Sequence, residues 1–292
     1  MRLRTIIFWG ISLLFLIFIR GDFFVIIHKP IYLKQYFVIF LTYIGSIFHI
    51  SSFIMRKDNR DNLKLRKIEI IPNFIKNSEG SCLVRFGETQ VVCTASVDVK
   101  VPRWLLGSGK GWVTAEYGML PRSTHERMRR EAAVGKIGGR TSEIQRLIGR
   151  SLRAVVDLGL LNEKLITIDC DVLTADGGTR TAAITGGFVA LKLCIEHLLR
   201  NKEIKTNPMQ QYIAAVSCGI VDGKILLDLN YEEDSKAEID ANFVITENMQ
   251  LVEIQATGER KTFSDQDLIE MLKISKSAIK EIIQHQKSCF EK

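Results

Sequence analysis

Short runs of β-type residues joined by very short turns place the strongest constraint on how this 292-residue chain can fold. Only the four residues Gly-Glu-Thr-Gln separate the run at 82–86 from the run at 91–97. A connection of that length joins antiparallel neighbours, because a parallel crossover needs a dozen or more residues. Later in the chain, the turn Val-Asp-Gly-Lys joins the runs at 216–221 and 225–229. The turn Glu-Asn-Met-Gln joins those at 243–246 and 251–255. The sequence therefore predicts a sheet-rich domain with β-hairpins.

Two of the segments between these runs carry clear helix signals. In residues 141–158 apolar side chains recur every three or four positions and form one face, and Thr141 is the expected N-cap. Near the C-terminus, Ser264 is expected to cap a final amphipathic helix, with Asp267 three residues further on. Both segments predict helices that pack one face against a core.

A third helix is predicted over residues 179–199, directly after a strand expected at 165–173. Within it, the pair Gly186 and Gly187 would let another backbone approach closely, since neither residue carries a side chain. Strands and hairpins mixed with about three helices predict one α+β domain over residues 55–292.

Residues 1–54 differ from the rest of the chain, because two apolar runs at 6–19 and 37–54 fill most of their length. One interpretation is a membrane hairpin with both ends in the cytoplasm, although a span needs roughly 20 residues and the first run is shorter. A cleaved signal peptide is less favoured, since no small-residue cleavage site follows the first run. A third interpretation is that the segment is not part of the working protein and that Met55 is the true start.

The cysteines indicate the cellular compartment of the protein, whereas its net charge says little about a binding partner. The formal charge is +7, and because residues 1–54 carry +4 of it, the remainder is only mildly basic. None of the six cysteines forms a Cys-x-x-Cys pair, so the spacing of a structural zinc site is missing. Cysteines within apolar runs are typical of buried thiols in a reducing compartment.

Two arginines stand at glycine-led helix starts. Arg140 lies in Gly-Gly-Arg-Thr before the first predicted helix, and Arg180 lies in Gly-Gly-Thr-Arg-Thr at the start of the next long helix. A helix start offers free backbone N–H groups and the positive end of the helix dipole, and a guanidinium adds a fork of donors matched to phosphate. The two arginines could therefore converge on one phosphate, or each could be an ordinary surface arginine after a turn.

A basic run at 122–130 contains four arginines and one glutamate, and Arg146, Arg150 and Arg153 follow it. Such a run is often only a solvated loop. The density of positive charge over residues 122–153 nevertheless favours a surface for a polyanion.

Two groups of acids are candidates for chemistry. Asp169 and Asp171 share one face of the strand at 165–173. Such a pair could bind a metal ion, but we expect these two acids to serve as scaffolding, by bonding to neighbouring backbone or pairing with arginine. A second acidic cluster at 231–240 contains Asp234, ends at Asp240 and is expected in a loop between strands. Exposed carboxylates at strand ends can hold Mg²⁺ together with water and substrate phosphates, although a solvated acidic loop is the commoner outcome.

Long stretches of the chain resemble bacterial ribonuclease PH, the phosphate-dependent tRNA 3′-end exoribonuclease. The resemblance rests on GWVTAEYGMLPRSTHERMRREAAVGKIGGRTSEIQRLIGRSLRAVVDLGLL and on DCDVLTADGGTRTAAITGG, and it runs from Met55 to near the C-terminus. It implies the α+β ribonuclease PH fold, assembled as a hexameric ring of dimers. It also implies a tRNA nucleotidyltransferase reaction, in which inorganic phosphate releases nucleoside diphosphates from tRNA precursors and the reverse reaction adds nucleotides. Ribosomal RNA is a further candidate substrate.

The resemblance assigns roles to individual residues. It implies that phosphate binds to Arg140, Gly178, Thr179 and Arg180. It implies that tRNA contacts Arg122, Arg127 and Arg130. The catalytic carboxylates linked to Mg²⁺ would be Asp234 and Asp240.

Members of this family begin close to the polar segment that here starts at Met55. This favours the interpretation of residues 1–54 as an upstream extension that is not normally made, and a cytoplasmic protein. A membrane anchor is the alternative. Two other classes of function compete with the enzyme: a catalytically inactive ring subunit that only binds RNA, and a membrane-anchored adaptor. The joint presence of Arg140, Arg180, Asp234 and Asp240 argues against the inactive subunit.

Overall fold

The computed structural model describes the strands β1 (Leu14–Ile19) and β2 (Asp22–Ile27), residue 56, and residues 58–291. The chain divides into two units, residues 1–55 and residues 56–292. In the first unit, β1 and β2 pair antiparallel from Leu14 opposite Ile27. The apolar run at 37–54, and with it half of the expected membrane hairpin, lies outside the described residues.

The second unit opens with a five-stranded sheet in the order β3-β4-β5-β7-β6. The predicted hairpin of 82–86 with 91–97 is confirmed as the antiparallel pair β4–β5, and only β6 and β7 pair in parallel. The strands are β3 (Ile68–Pro72), β4 (Gly80–Phe86), β5 (Thr89–Asp98), β6 (Trp112–Met119) and β7 (Leu165–Thr174).

Between β6 and β7 lie the short helix α1 (Glu131–Val134) and the longer α2 (Gly139–Arg153). The apolar face predicted for α2 is confirmed, and its members Ile144, Leu147, Ile148 and Leu152 are buried. The predicted N-cap is wrong, because the cap is Gly138 in an extended conformation. The Thr141 hydroxyl instead donates a hydrogen bond to the Glu131 carboxylate at 2.7 Å. Glu131, which lies outside α2, thus binds the hydroxyl that was expected to cap the helix.

The helix α3 (Thr179–Arg200) forms the centre of the core. It packs against β4 and β5 of the first sheet and also against β8 of the second. Among the described residues it is the one helix long and apolar enough to cross a membrane, and 72% of its most apolar window is buried inside the protein. The core helix of a folded domain can be as long and as apolar as a membrane span, because a helix that is buried on all sides has apolar residues all round.

The nearest atoms that a side chain would meet at the glycine pair in α3 belong to other side chains. A Cβ atom at Gly186 would lie 2.6 Å from Val84 Cγ1 and 2.9 Å from Cys93 Sγ, whereas one at Gly187 would lie 3.3 Å from Ile168 Cγ2. The expected close approach of another backbone at these two positions stays a prediction. The absent side chains let α3 settle onto the first sheet.

The second sheet has the order β11-β10-β8-β9, and all its pairs are antiparallel. The reciprocal cap of Ser264 with Asp267 is confirmed at the start of the final helix. The acidic cluster at 231–240 is not a loop as predicted, because it comprises a short helix and the start of a strand. The elements are β8 (Ile213–Val221), β9 (Lys224–Leu227), α4 (Tyr231–Asp234), β10 (Ile239–Thr246), β11 (Leu251–Gly258) and α5 (Asp265–Ser288).

All six cysteines are buried free thiols, as the sequence predicted. Cys82, Cys93 and Cys170 stand opposite one another on the adjacent strands β4, β5 and β7. Their side chains fill the layer between the first sheet and α3, where Cys82 donates to the carbonyl of Gly186.

Replacing Gly186 by alanine tests the contact between α3 and the sheet. Overpacking a core position destabilises a protein by about 1–3 kcal/mol, whereas Gly→Ala within a helix gains about 1 kcal/mol. We expect Gly186→Ala to lower the free energy of unfolding in a urea titration. Gly187→Ala is the matched control and should be nearly neutral, because its neighbour is farther away. Equal effects at the two positions would contradict this packing.

Candidate active site

The loop between β7 and α3 (residues 175–178), which we call the phosphate loop for the role proposed for it below, brings backbone donors to one end of α3. Gly177 and Gly178 both have positive φ, of 73° and 64°, a region that residues with side chains rarely adopt. A Cβ atom at Gly177 would also lie 2.5 Å from the carbonyl oxygen of Leu229. Gly178 is the N-cap and has no side chain to cap with, so the first backbone N–H groups of α3 are left available for an anion.

Thr179, the first residue of α3, is held by a buried tyrosine. The Tyr117 hydroxyl donates to Thr179 Oγ1 at 2.9 Å. Burial raises the pKa of Tyr117, while the hydrogen bond to Thr179 and the charges of Arg140 and Arg180 oppose that rise. Tyr117 therefore stays a proton donor at neutral pH. Because Thr179 Oγ1 accepts this hydrogen bond, its own proton is free to be donated to a bound anion.

Arg140 and Arg180 occupy equivalent places, each the second residue of its helix. Their charges act on the same three groups, the Tyr117 hydroxyl and the carboxyls of Asp234 and Asp240. The structure thus brings the two predicted arginines and the two predicted acids into one electrostatic neighbourhood. Arg140 is exposed and free to follow a ligand.

Arg180 is held in place by polar side chains that the sequence reasoning missed. Its Nη1 donates to Gln255 Oε1 at 2.9 Å and lies 3.6 Å from Glu143 Oε1. Gln255 in turn donates to the same Glu143 oxygen at 2.8 Å. The one sequence signal for this contact was the position of Gln255 near the end of β11, in the segment Ile-Gln-Ala-Thr-Gly.

Asp234 and Asp240 form a pair whose negative charges oppose each other. Burial raises the pKa of Asp240 to about 6, the charge of Asp234 adds to the rise, and Arg180 and Arg140 only partly offset it. Much of Asp234 is exposed, but burial of its carboxyl by neighbouring groups raises its pKa as well, and the charges of Arg140 and Arg180 oppose that rise. Glu259 adds a third negative charge to both.

This donor set fits Mg²⁺, which binds to one or two carboxylates and takes its other ligands from water and substrate phosphates. A divalent cation would relieve the repulsion that raises the pKa of Asp240. Within residues 58–291, no group of three or more His, Cys, Asp or Glu side chains is arranged to hold a metal ion. If such an ion binds beside Arg140 and Arg180, Asp234 and Asp240 are the carboxylates that would hold it.

A buried ion pair lies directly behind these groups. The Asp228 carboxylate is inaccessible to solvent and accepts from the backbone N–H of Arg66 at 2.8 Å, from its Nε at 3.1 Å and from its Nη2 at 2.8 Å. Arg66 also donates to the carbonyl of Asp176 at 2.5 Å and reaches that of Gly177. Burial lowers the pKa of Arg66, but the charge and hydrogen bonds of Asp228, together with the charges of Asp176 and Glu233, outweigh it and the net shift is upward.

A second buried arginine fixes the acid-bearing helix α4. Arg56 donates from Nε and Nη2 to both oxygens of Glu233, at 2.6 and 2.5 Å. Glu233 also completes a capping box with Asn230 at the start of α4, and Asp234 follows it directly. Arg60 supports the same corner by donating to the carbonyl of Asp228. Sequence reasoning missed these arginines, whose only signal was their density within residues 56–66.

The three arginines expected to contact RNA are all exposed on the loop between β6 and α1, which we call the basic loop (residues 120–130). Ser123 ties this loop to the phosphate loop, because its carbonyl accepts from the N–H of Ala175 at 2.8 Å. The predicted residues are Arg122, Arg127 and Arg130, and a cavity of about 250 Å³ is lined by Arg127, Arg129, Arg130, Ala133 and Val134.

Asp169 and Asp171 lie away from this site. They point from β7 to the face of the first sheet opposite Tyr117 and the core, beside Glu116 of β6. Burial raises the pKa of Asp169, and the charges of Glu116 and Asp171 add to that rise. Of the two candidate groups of acids, Asp234 and Asp240 are thus the ones that share a neighbourhood with Arg140 and Arg180.

Two models of the 3′ exoribonuclease family match the chain, domain 1 over residues 64–195 and domain 2 over residues 211–278. Together they cover more than half of it, and the chain therefore belongs to the 3′ exoribonuclease family. The general activity that this membership supports is the degradation of RNA from its 3′ end.

Solved structures show the same fold. A structure described as the archaeal exosome core is 24% identical, with a TM-score of 0.65, and the match covers 87% of this chain and 98% of that one. The Archaeoglobus fulgidus exosome with RNA bound to the active site is 24% identical, with a TM-score of 0.68 and coverage of 86% and 98%. Rice (Oryza sativa) Rrp46 is 19% identical, with a TM-score of 0.62 and coverage of 80% and 98%. The expected α+β ribonuclease PH fold is confirmed.

Removing the buried negative charge at Asp228 should destabilise the protein strongly. Asp228→Asn breaks the buried ion pair with Arg66 and leaves that guanidinium only Asp176, 4.0 Å away, as an acidic partner. Breaking a buried ion pair destabilises by about 3–5 kcal/mol. Asp58→Asn is the control, because Asp58 pairs with Arg60 near the surface, where an ion pair contributes up to about 1 kcal/mol. Urea titrations of both variants measure the difference, and equal effects would contradict the anchoring role of Asp228.

The raised pKa of Asp240 predicts a stability change with a definite sign. In the folded protein Asp240 keeps its proton up to a pH of about 6, whereas the ordinary pKa of an aspartate side chain is 3.8. Stability therefore falls as the pH rises from about 4 to 6 and stays lower above that range. Asp240→Asn should melt at a higher temperature than the wild type at pH 8 in EDTA, and the difference should vanish near pH 4. A pH-independent difference would refute this cause.

Proposed function

We propose that the protein is a phosphorolytic 3′–5′ exoribonuclease that trims the 3′ ends of tRNA precursors. The observation that carries the proposal is the meeting of Arg140 and Arg180, each at a helix start, with the carboxylate pair Asp234 and Asp240 in a member of the 3′ exoribonuclease family. A site built for an anion beside two metal-binding acids suits phosphoryl transfer better than hydrolysis by an activated side chain.

Inorganic phosphate is the nucleophile in this reaction, so no activated serine or cysteine is needed. One of its oxygens bonds to the phosphorus of the last phosphodiester, and the bond from that phosphorus to the 3′ oxygen of the preceding nucleotide breaks. The products are a nucleoside diphosphate and an RNA that is one nucleotide shorter. The reverse reaction adds a nucleotide to the RNA 3′ end.

The protein contributes position and charge. Arg140 and Arg180 hold the attacking phosphate, while the Thr179 hydroxyl and the first N–H groups of α3 donate to it. Because Gln255 fixes the guanidinium of Arg180 before phosphate arrives, little reorganisation is needed at the moment of reaction. Asp234 and Asp240 would hold Mg²⁺, which supplies positive charge for the scissile phosphate and the leaving oxygen.

The basic loop is proposed to bind the RNA backbone through Arg122, Arg127 and Arg130. Phosphate contacts of this kind are sequence-independent and weaken with salt. The choice of tRNA precursors rests on the resemblance of the basic loop and its neighbours to ribonuclease PH, and ribosomal RNA is the second candidate substrate.

A homohexameric ring of dimers is the proposed assembly. Exposed apolar side chains on the loop at 99–106 support self-association, because a lone protein rarely leaves several large apolar groups together in solvent. They are Val99, Trp104 and Leu106. The buried free thiols support a cytoplasmic location, with residues 1–54 either absent from the working protein or serving as a membrane anchor.

Phosphate dependence is the decisive test. The full chain is incubated with a tRNA that carries a 3′ extension, with and without inorganic phosphate, and nucleoside diphosphates are measured. Arg180→Ala should lower the phosphate-dependent rate by about 10²–10³-fold, the effect of removing one preorganised donor to a reacting oxyanion. Arg200→Ala removes an exposed arginine from the other end of the same helix and should leave the rate unchanged.

The outcomes separate the competing functions. Release of nucleoside monophosphates without phosphate would indicate hydrolysis and refute the proposal. Tight RNA binding with no release of either product would indicate an RNA-binding ring subunit. An unchanged rate in Arg180→Ala would refute the phosphate site.

A further inference from the structure

An exposed aromatic ring stands beside the candidate acids and has no place in the reaction as described so far. Tyr231 is the first residue of α4 and is 53% exposed. Asp234 lies three residues later, and side chains at that spacing share one face of a helix. The ring of Tyr231 therefore borders the same side of α4 as the carboxylate of Asp234.

The basic loop supplies a second ring at this place. The centroids of His125 and Tyr231 are 6.4 Å apart and their planes are inclined by 60°. His125 lies between Arg122 and Arg127 in the chain and is itself exposed. The contact between the two rings thus connects α4, which carries Asp234, with the basic loop.

The backbone beneath Tyr231 is firmly held, although its side chain is exposed. The N–H of Tyr231 donates to Asp176 Oδ1 at 3.2 Å, which links it to the phosphate loop. The capping box of Asn230 and Glu233 surrounds it, and Arg56 binds Glu233 from behind. A ring on such a support loses little conformational freedom when a ligand packs against it.

The surroundings of the ring favour a nucleobase over a protein partner. The most exposed large apolar side chains, Val99 and Trp104, lie on the separate loop at 99–106. Tyr231 instead has the acids Glu232 and Asp234 on its own helix, and the ring beside it, His125, belongs to the basic loop with its four arginines. An isolated aromatic face among charged groups suits a flat ring attached to phosphates. Aromatic side chains stack on any base, because every base presents a π face.

We infer that Tyr231 stacks against the base of the 3′-terminal nucleotide, with His125 as a second wall, and so holds the end of the RNA over the candidate acids. This inference rests on the proposed function. The stack accepts all four bases, as an enzyme that removes nucleotides one after another requires. Tyr231 binds the substrate and takes no part in bond breaking.

The test compares Tyr231→Ala and Tyr231→Phe in the full-length protein. Loss of a base stack weakens binding by about 5- to 100-fold. Tyr231→Ala should raise the KM for RNA by that factor and leave the KM for phosphate unchanged, whereas Tyr231→Phe should retain the wild-type values. Phe74→Ala is the control, because Phe74 is a comparably exposed aromatic residue in the turn after β3.

An RNA whose last nucleotide lacks its base separates stacking from a structural effect. The wild type should bind this abasic RNA about 5- to 100-fold more weakly than the intact RNA. Tyr231→Ala should bind both RNAs equally weakly. Equal binding of the two RNAs by the wild type overturns the inference, as does an equal loss for both RNAs on Tyr231→Ala.

Equilibrium binding, followed by fluorescence anisotropy of labelled RNA, keeps the two proposals distinguishable. If the wild type releases no nucleoside diphosphate, the proposed function fails, and the binding ratio of intact to abasic RNA still decides the stacking inference. If phosphate-dependent release is found but the abasic end binds as well as the intact one, the stacking inference fails alone.

Discussion

The pairing of Arg66 with Asp228 joins three parts of the chain at one buried point. Arg66 leads into the first sheet, and Asp228 follows β9 of the second. The same guanidinium reaches the carbonyls of Asp176 and Gly177, where the chain turns into α3. A buried charge has few tolerable positions, because moving it away from its partner leaves it unpaired in a poorly polarisable interior. This ion pair, together with the hydrogen bond from Tyr231 to Asp176, therefore holds the phosphate loop close to the acid-bearing helix.

The helix α3 connects stability with binding. Its middle is buried between two sheets, and its first turn faces the place where phosphate is proposed to bind. Because a helix transmits displacement along its axis, the packing of Gly186 against Val84 and Cys93 helps to set the position of Thr179. The tyrosine on β6 that binds Thr179 makes the same link from the other side. A rigid core element is a precise support for a site.

Local signals in the sequence predicted the elements well and the site in part. Glycine-led helix starts pointed to Arg140 and Arg180, because that pattern has a meaning within a few residues. The roles of Asp234 and Asp240 came only from the resemblance, and nothing local distinguished them from a solvated acidic loop. The contacts of Arg56 with Glu233 and of Arg66 with Asp228 span more than 160 residues of chain, which no periodicity can reveal. The N-cap at Thr141 was wrong because Glu131, outside the helix, competes for its hydroxyl.

The position of Arg56 makes the charge at the natural N-terminus relevant to the candidate site. Its side chain is fully buried and grips Glu233, next to Asp234. A chain begun at Met55 would place its α-amino group one residue from this buried guanidinium, whereas the longer chain places an uncharged peptide bond there. A chain begun at Met55 would thus carry one more positive charge next to Arg56 than the longer chain, with identical residues from Arg56 onward.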